Sequence, residues 1–184
     1  MGFDLSGMNP NFTTPEPTLP PWDERTDKDW ERYTDWQEEN SGVYFRNNVW
    51  WWRPLWMFVS ESCNDILTDK DIEGGSWNDG HEISKTKAGK IARKLYKLIE
   101  TDQVKAYETK YKKELDSLEQ VDCEICDATG KRQEPPNTGA GDRECNGCDG
   151  TGKKDDWAKS YPFSEDNVRE FANFCANSGG FRIC

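Results

Sequence analysis

Four cysteines stand in the pattern C-x2-C, eighteen residues, C-x2-C: Cys123, Cys126, Cys145 and Cys148. Two cysteines three positions apart can turn both sulfurs toward one ion within a tight turn. Two such pairs, spaced by roughly 15 to 20 residues, supply the complete tetrahedral shell of a zinc ion. The spacing therefore predicts one zinc ion as a structural cofactor, because four sulfurs leave no coordination position for water or substrate.

Small residues follow each pair, in CEICDATG (Cys123 to Gly130) and CNGCDGTG (Cys145 to Gly152), and leave room for backbone amides to face the thiolates. These octets resemble the cysteine-rich repeats of the DnaJ chaperone family, C-x-x-C-x-G-x-G. The second matches every fixed position, whereas the first has Ala128 in place of a glycine. That family usually carries four repeats and two zinc ions; this chain has two repeats. The His-Pro-Asp signature of the J domain is missing, since the single histidine, His81, precedes Glu82. The resemblance implies the metal role of the four cysteines; co-chaperone activity is not implied.

Other chemistry is sparse. His81 lies in WNDGHE, where Asp79 or Glu82 could orient it as a base, but the segment reads as a loop. Cys63 and Cys175 fall on apolar helix faces as small hydrophobes, and Cys184 is terminal with no partner motif. The chain contains no phosphate loop, dinucleotide fingerprint or nucleophile elbow. An enzyme is not expected.

The richest binding material is YFRNNVWWWRPLW, residues 44 to 56. Pro54 disfavours a helical Arg53 and suits a first helical turn, so residues 43 to 52 are expected to be extended, with a helix from Pro54. An extended register puts Trp50 and Trp52 on one face and Trp51 on the other. Arg46, Asn47, Asn48 and Arg53 stand among these rings, a mixture able to stack a planar group and hydrogen-bond its edge or a phosphate. The alternative is that the rings simply cement the core.

Positioning these residues requires a folded body. Hydrophobic residues are 34% and charged residues 32%, but nine Trp, eight Phe and six Tyr supply the apolar area that disordered chains lack. Residues 1–26 are expected to be an extended arm, because residues 9–21 hold five of the nine prolines. Within the aromatic helical core, 27–120, a short helix over 27–39 has Asp27 as its cap, and 69–82 is a loop. Two helices, from Ser84 to Glu100 and over 103–119, follow at 3-4 apolar spacing. Residues 121–154 form the zinc-knuckle insertion. Residues 155–184 return to the core with a helix from Ser164 and a short strand, FRIC, beside the aromatic segment. The class is α+β, mainly helical, in a single domain.

The net charge of −11 argues against general attraction to nucleic acid, although residues 84–113 carry ten basic and three acidic side chains. No stretch suits a membrane span and the start lacks signal-peptide blocks, so no membrane and a cytoplasmic location are expected. In character the chain resembles bacteriophage accessory proteins, which would place it in the host cytoplasm. The reading is a non-enzymatic, zinc-stabilised binding protein with a protein partner. The alternatives are a binder of a nucleotide-like small ligand and, behind it, a nucleic-acid binder using the lysine helices and knuckle.

Overall fold

A computed structural model describes residues 2–184. The chain divides into two compact units, residues 1–109 with 163–184 and residues 110–162. Among the described residues six α-helices accompany short antiparallel sheets, an α+β architecture.

The first unit begins with β1 (Gly2–Gly7), α1 (Asp27–Glu39), β2 (Tyr44–Asn48), α2 (Val49–Ser62), α3 (Asp69–Gly74) and β3 (His81–Ser84). It continues through α4 (Lys85–Glu100) into α5 (Gln103–Asp116), inside which the boundary falls. The second unit adds the two-residue strands β4 (Val121–Asp122), β5 (Lys131–Arg132), β6 (Arg143–Glu144) and β7 (Lys153–Lys154). Back in the first unit, α6 (Glu165–Asn177) and β8 (Gly180–Ile183) close the chain.

Four strands form an antiparallel sheet in the order β2-β1-β8-β3. Alternation assigns its faces: Phe3, Leu5, Phe45, Phe181, Ile183 and Ile83 are buried, while Arg46, Glu82 and Arg182 are exposed. The apolar face packs with α2, α4 and α6, which contribute Trp52, Leu55, Val59, Ile91, Leu95, Val168, Phe171 and Phe174. On the polar face Arg182 pairs with Glu82, its Nε 3.1 Å from Oε1, and Tyr44 donates its hydroxyl proton to Asp4. Burial first, and then that bonded carboxylate, push the Tyr44 phenol up to about 12.

Several expectations change. The arm assigned to residues 1–26 begins instead as a central strand, since Phe3 and Leu5 alternate with polar residues and pair with β2 and β8. The carboxyl-terminal strand lies between β1 and β3, one strand removed from the aromatic segment. Helix α2 starts at Val49, five residues before Pro54, because the Asn48 side chain accepts from the amides of Trp50 and Trp51 at 3.0 and 3.1 Å and caps the helix there. The three adjacent indoles are therefore spread around a helix and not alternated along a strand. Within the segment read as a loop, Thr68 caps α3 through a capping box with Asp71, and His81 opens β3. The cap of α1 is Thr26, not Asp27; it forms a capping box with Asp29. By contrast α4 and α6 start after Ser84 and Ser164 as their sequences dictate, each serine accepting from the amide three residues on.

Candidate metal centre

The second unit is built by a repeat. Displacing the first octet by 22 residues superposes Cys123 on Cys145, and the hydrogen bonds repeat with it. The amides of Ala128 and Gly150 donate to the carbonyls of Cys123 and Cys145 at 3.0 and 3.1 Å, and the hydroxyls of Thr129 and Thr151 to those of Cys126 and Cys148, both at 2.6 Å. The halves then exchange strands: β4 pairs with β7 and β5 with β6. Reciprocal bonds lock the exchange, from the Cys123 amide to the Gly152 carbonyl and from the Cys145 amide to the Gly130 carbonyl, both 2.9 Å.

Gly130 and Gly152 make this closeness possible. At positive φ (76° and 77°), each lies where a Cβ would come within 2.1 Å of the Gly150 carbonyl oxygen or 2.2 Å of that of Ala128. The centre of the exchange is the thiol cluster. Cys123 and Cys145 bring their Sγ atoms to 3.9 Å, Cys126 and Cys148 to 3.7 Å, and all four sulfurs lie within 4.8 Å of one another. Cys123, Cys126 and Cys145 are wholly buried and Cys148 is 7% exposed. Among the described residues this is the one group of three or more Cys, His, Asp or Glu side chains placed to hold a metal ion.

Backbone amides support the sulfurs. The Gly152 N–H points to Cys148 Sγ at 3.2 Å, and the equivalent Gly130 N–H bonds Cys126. Burial opposes ionisation of both thiols. At Cys148 the Gly152 amide and the neighbouring thiols outweigh it and bring the pKa down to about 7, whereas at Cys126 burial prevails and lifts it to about 11.

The departure of the first octet from the repeat carries a cost. Ala128 has φ 60°, while its counterpart Gly150 has φ 73°; an L side chain in that left-handed region costs roughly 1 to 2 kcal/mol. Ala128 is exposed, so its methyl group contributes little packing. Ala128→Gly is therefore expected to stabilise the metal-bound second unit by about 1 kcal/mol, after allowing for the greater unfolded-state freedom of glycine. The check is the denaturant midpoint of this unit's amide signals. An unchanged or lower midpoint would show that the loop carries no strain.

The aromatic segment is distributed, not convergent. Trp52 is wholly buried, Trp50 and Trp51 are half-buried, and Asn48 serves as the cap. Arg46 lies on the polar face of the sheet, 3.5 Å from Asp4, beside a polar cavity lined by Tyr44, Glu38 and Glu170. Arg53 lines a different cavity, on the outward side of α2. His81 turns to neither residue named for it. Its Nε2 lies 3.2 Å from Asp71, which also accepts from the Thr68 amide and pairs with Lys87. Burial opposes ionisation of Asp71, but Lys87, Thr68 and His81 outweigh it and hold the carboxyl well below the usual carboxylate range. A cap-forming T-x-x-D at Thr68 was the sequence signal for this cluster.

Among the described residues no helix is long and apolar enough to cross a membrane. Comparison with protein-family models, with curated proteins and with solved structures finds no match.

Proposed function

We propose that this is a non-enzymatic, zinc-stabilised binding protein whose second unit presents a preorganised surface to a protein partner. Two sulfurs at Zn–S of about 2.3 Å in a tetrahedral shell stand about 3.8 Å apart, and the separations of 3.7 and 3.9 Å support zinc as the ion held by the four cysteines. Their burial supports a structural role, since no face of the ion is left for substrate.

The observation that carries the binding reading is the tethering of the loop between the two octets. The Gly139 amide donates to the Ile125 carbonyl at 2.9 Å, and Arg132 bonds Asn146 Oδ1 at 2.9 Å and the Asn137 carbonyl at 3.3 Å. Exposed residues 133–138 are thus fixed to the tips of both knuckles. Ordering a loop before the encounter removes that entropy cost from association. Charge favours a protein over nucleic acid: residues 110–162 carry nine basic and twelve acidic side chains, and among the cations Lys153 and Arg143 pair with Asp122 and Glu134 while Lys154 lies 3.8 Å from Glu124.

The test is affinity capture with zinc-loaded protein, metal-stripped protein and the Arg132→Ala variant from a lysate of the producing cells, with the captured partner then purified and titrated. The expected result is a partner bound with micromolar or better Kd by the loaded protein, at least tenfold more weakly by Arg132→Ala, and not by the stripped form. Equal binding by all three forms, or turnover of a substrate by the purified protein, would overturn the proposal.

A further inference from the structure

The four-stranded sheet ends at β2, which pairs with β1 and with no other strand among the described residues. The register decides which of its backbone groups are used. The Asp4 amide donates to the Cys184 carbonyl and the Asp4 carbonyl accepts from the Cys184 amide, both at 2.8 Å, so both groups of Asp4 point toward β8. Alternation then turns Phe3 and Leu5 toward β2, where they bond their partners Asn47 and Phe45. Tyr44 and Arg46, in the intervening register, aim their N–H and C=O groups away from the sheet. None of these outward groups has a hydrogen-bond partner among the described residues.

A cleft of about 510 Å³ opens along this edge. Tyr44, Phe45 and Arg46 all line it, although successive side chains of a strand point to opposite faces; a cavity that touches all three lies at the rim of the sheet. Glu38 of α1 and Glu170 of α6 stand on its other walls. The charges there are unbalanced. Arg46, the cation of the cleft, already lies 3.5 Å from Asp4, whereas the exposed Glu38 and Glu170 form no ion pair among the described residues. Unpaired ladder groups beside a concavity are what an added strand requires, and the carboxylates select the charge of its side chains.

We propose that β2 is a docking edge for an extended, lysine- or arginine-bearing segment of a partner protein, which adds a strand to this sheet. Its backbone exchanges ladder hydrogen bonds with Tyr44 and Arg46, and its basic side chains meet Glu38 and Glu170. Main-chain bonds supply the affinity in this mode of recognition and side chains the specificity. A second copy of the chain is disfavoured, because it would bring the same carboxylates to the seam and a net charge of −11 on each side. Nucleic acid is disfavoured because its phosphates would face those carboxylates. The edge belongs to the first unit and shares no residue with the tethered loop of the second, so the two readings are tested separately.

The test is titration of the whole zinc-loaded protein with a blocked heptapeptide of alternating lysine and threonine, with its glutamate counterpart, and with the lysine peptide N-methylated at every residue. Binding is read from the Tyr44 and Arg46 amide resonances and from their hydrogen exchange. The expected result is saturable binding of the lysine peptide with Kd of millimolar or below and protection of those two amides, binding of the glutamate peptide at least tenfold weaker, and none of the methylated one. Glu170→Lys, at an exposed position, should weaken the lysine peptide about tenfold. Arg46→Pro deletes an outward N–H and no bond to β1, and should weaken it as much; the amides of β1 and β8 report whether that variant folds, and the methylated peptide puts the same question to the unaltered protein. Arg132→Ala, in the second unit, should change nothing. No saturable binding, equal binding of the lysine peptide and either control, or a loss with Arg132→Ala would overturn the proposal. So would protection of Tyr44 and Arg46 that rises with protein concentration alone, which would assign the edge to a second copy.

Discussion

Replacing Cys145 by serine, or stripping the metal with a chelator under reducing conditions, is expected to unfold residues 121–154 while the four-stranded sheet persists. The buried apolar cluster within this segment consists of the four cysteines, with half-buried Ile125 packed against them. Its strands are two residues long. Little hydrophobic burial stands behind the loop-rich chain, so a bound ion would supply its order; apparent binding free energies of structural zinc sites reach roughly 10 to 16 kcal/mol near neutral pH. Hydrogen exchange is the measurement. Amides of Cys123 and Cys145, now bonded across the knuckles, and of Gly150, bonded within the second, should lose protection, while those of β1 and β8 keep theirs. Elemental analysis should find one zinc per chain in the native protein and none after Cys145→Ser. Retained protection in metal-free protein would refute the idea that the metal organises this segment.

The second large effect is at Trp52. Its indole is wholly buried, stacked between Phe3 at 5.2 Å and Trp56 at 5.3 Å and met by the edge of Phe171 at 5.8 Å. Truncation removes this packing and leaves the Gly75 carbonyl without its 2.8 Å donor. Trp52→Ala is expected to destabilise the first unit by about 4 to 6 kcal/mol, the cost of a large aromatic cavity plus an orphaned acceptor. Trp52→Phe keeps the stack and should cost about half as much. A urea titration read at the sheet amides decides this. A loss below about 2 kcal/mol would mean that the core closes over the gap and that Trp52 is not its keystone.

Much of this molecule is legible in one dimension wherever neighbours along the chain do the work. Ser84 and Ser164 announce α4 and α6 because a capping hydroxyl reaches an amide only three residues away. Cys123, Cys126, Cys145 and Cys148 announce themselves because ligand spacing within a knuckle is a local property, and the four sulfurs do cluster. The aromatic segment misleads for the same reason. Proline at position 54 argues locally for a later helix start, but Asn48 caps the chain first, and the burial of Trp52 against Phe3, Trp56 and Phe171 rewards the earlier helix.

The sequence by itself determined the four-cysteine cluster that could hold a metal ion, the α+β class and most helix starts. Each depends on interactions a few residues long, whose energy is set by residue type and spacing. Tertiary structure alone decided that Gly2–Gly7 is a central strand, that Arg46 and Arg53 line separate cavities, and that the Ser60 hydroxyl lies buried without a partner. Strand pairing, cavities and orphaned polar groups arise where distant segments meet, and the free energy that selects them is the burial of surfaces whose partners no local pattern names.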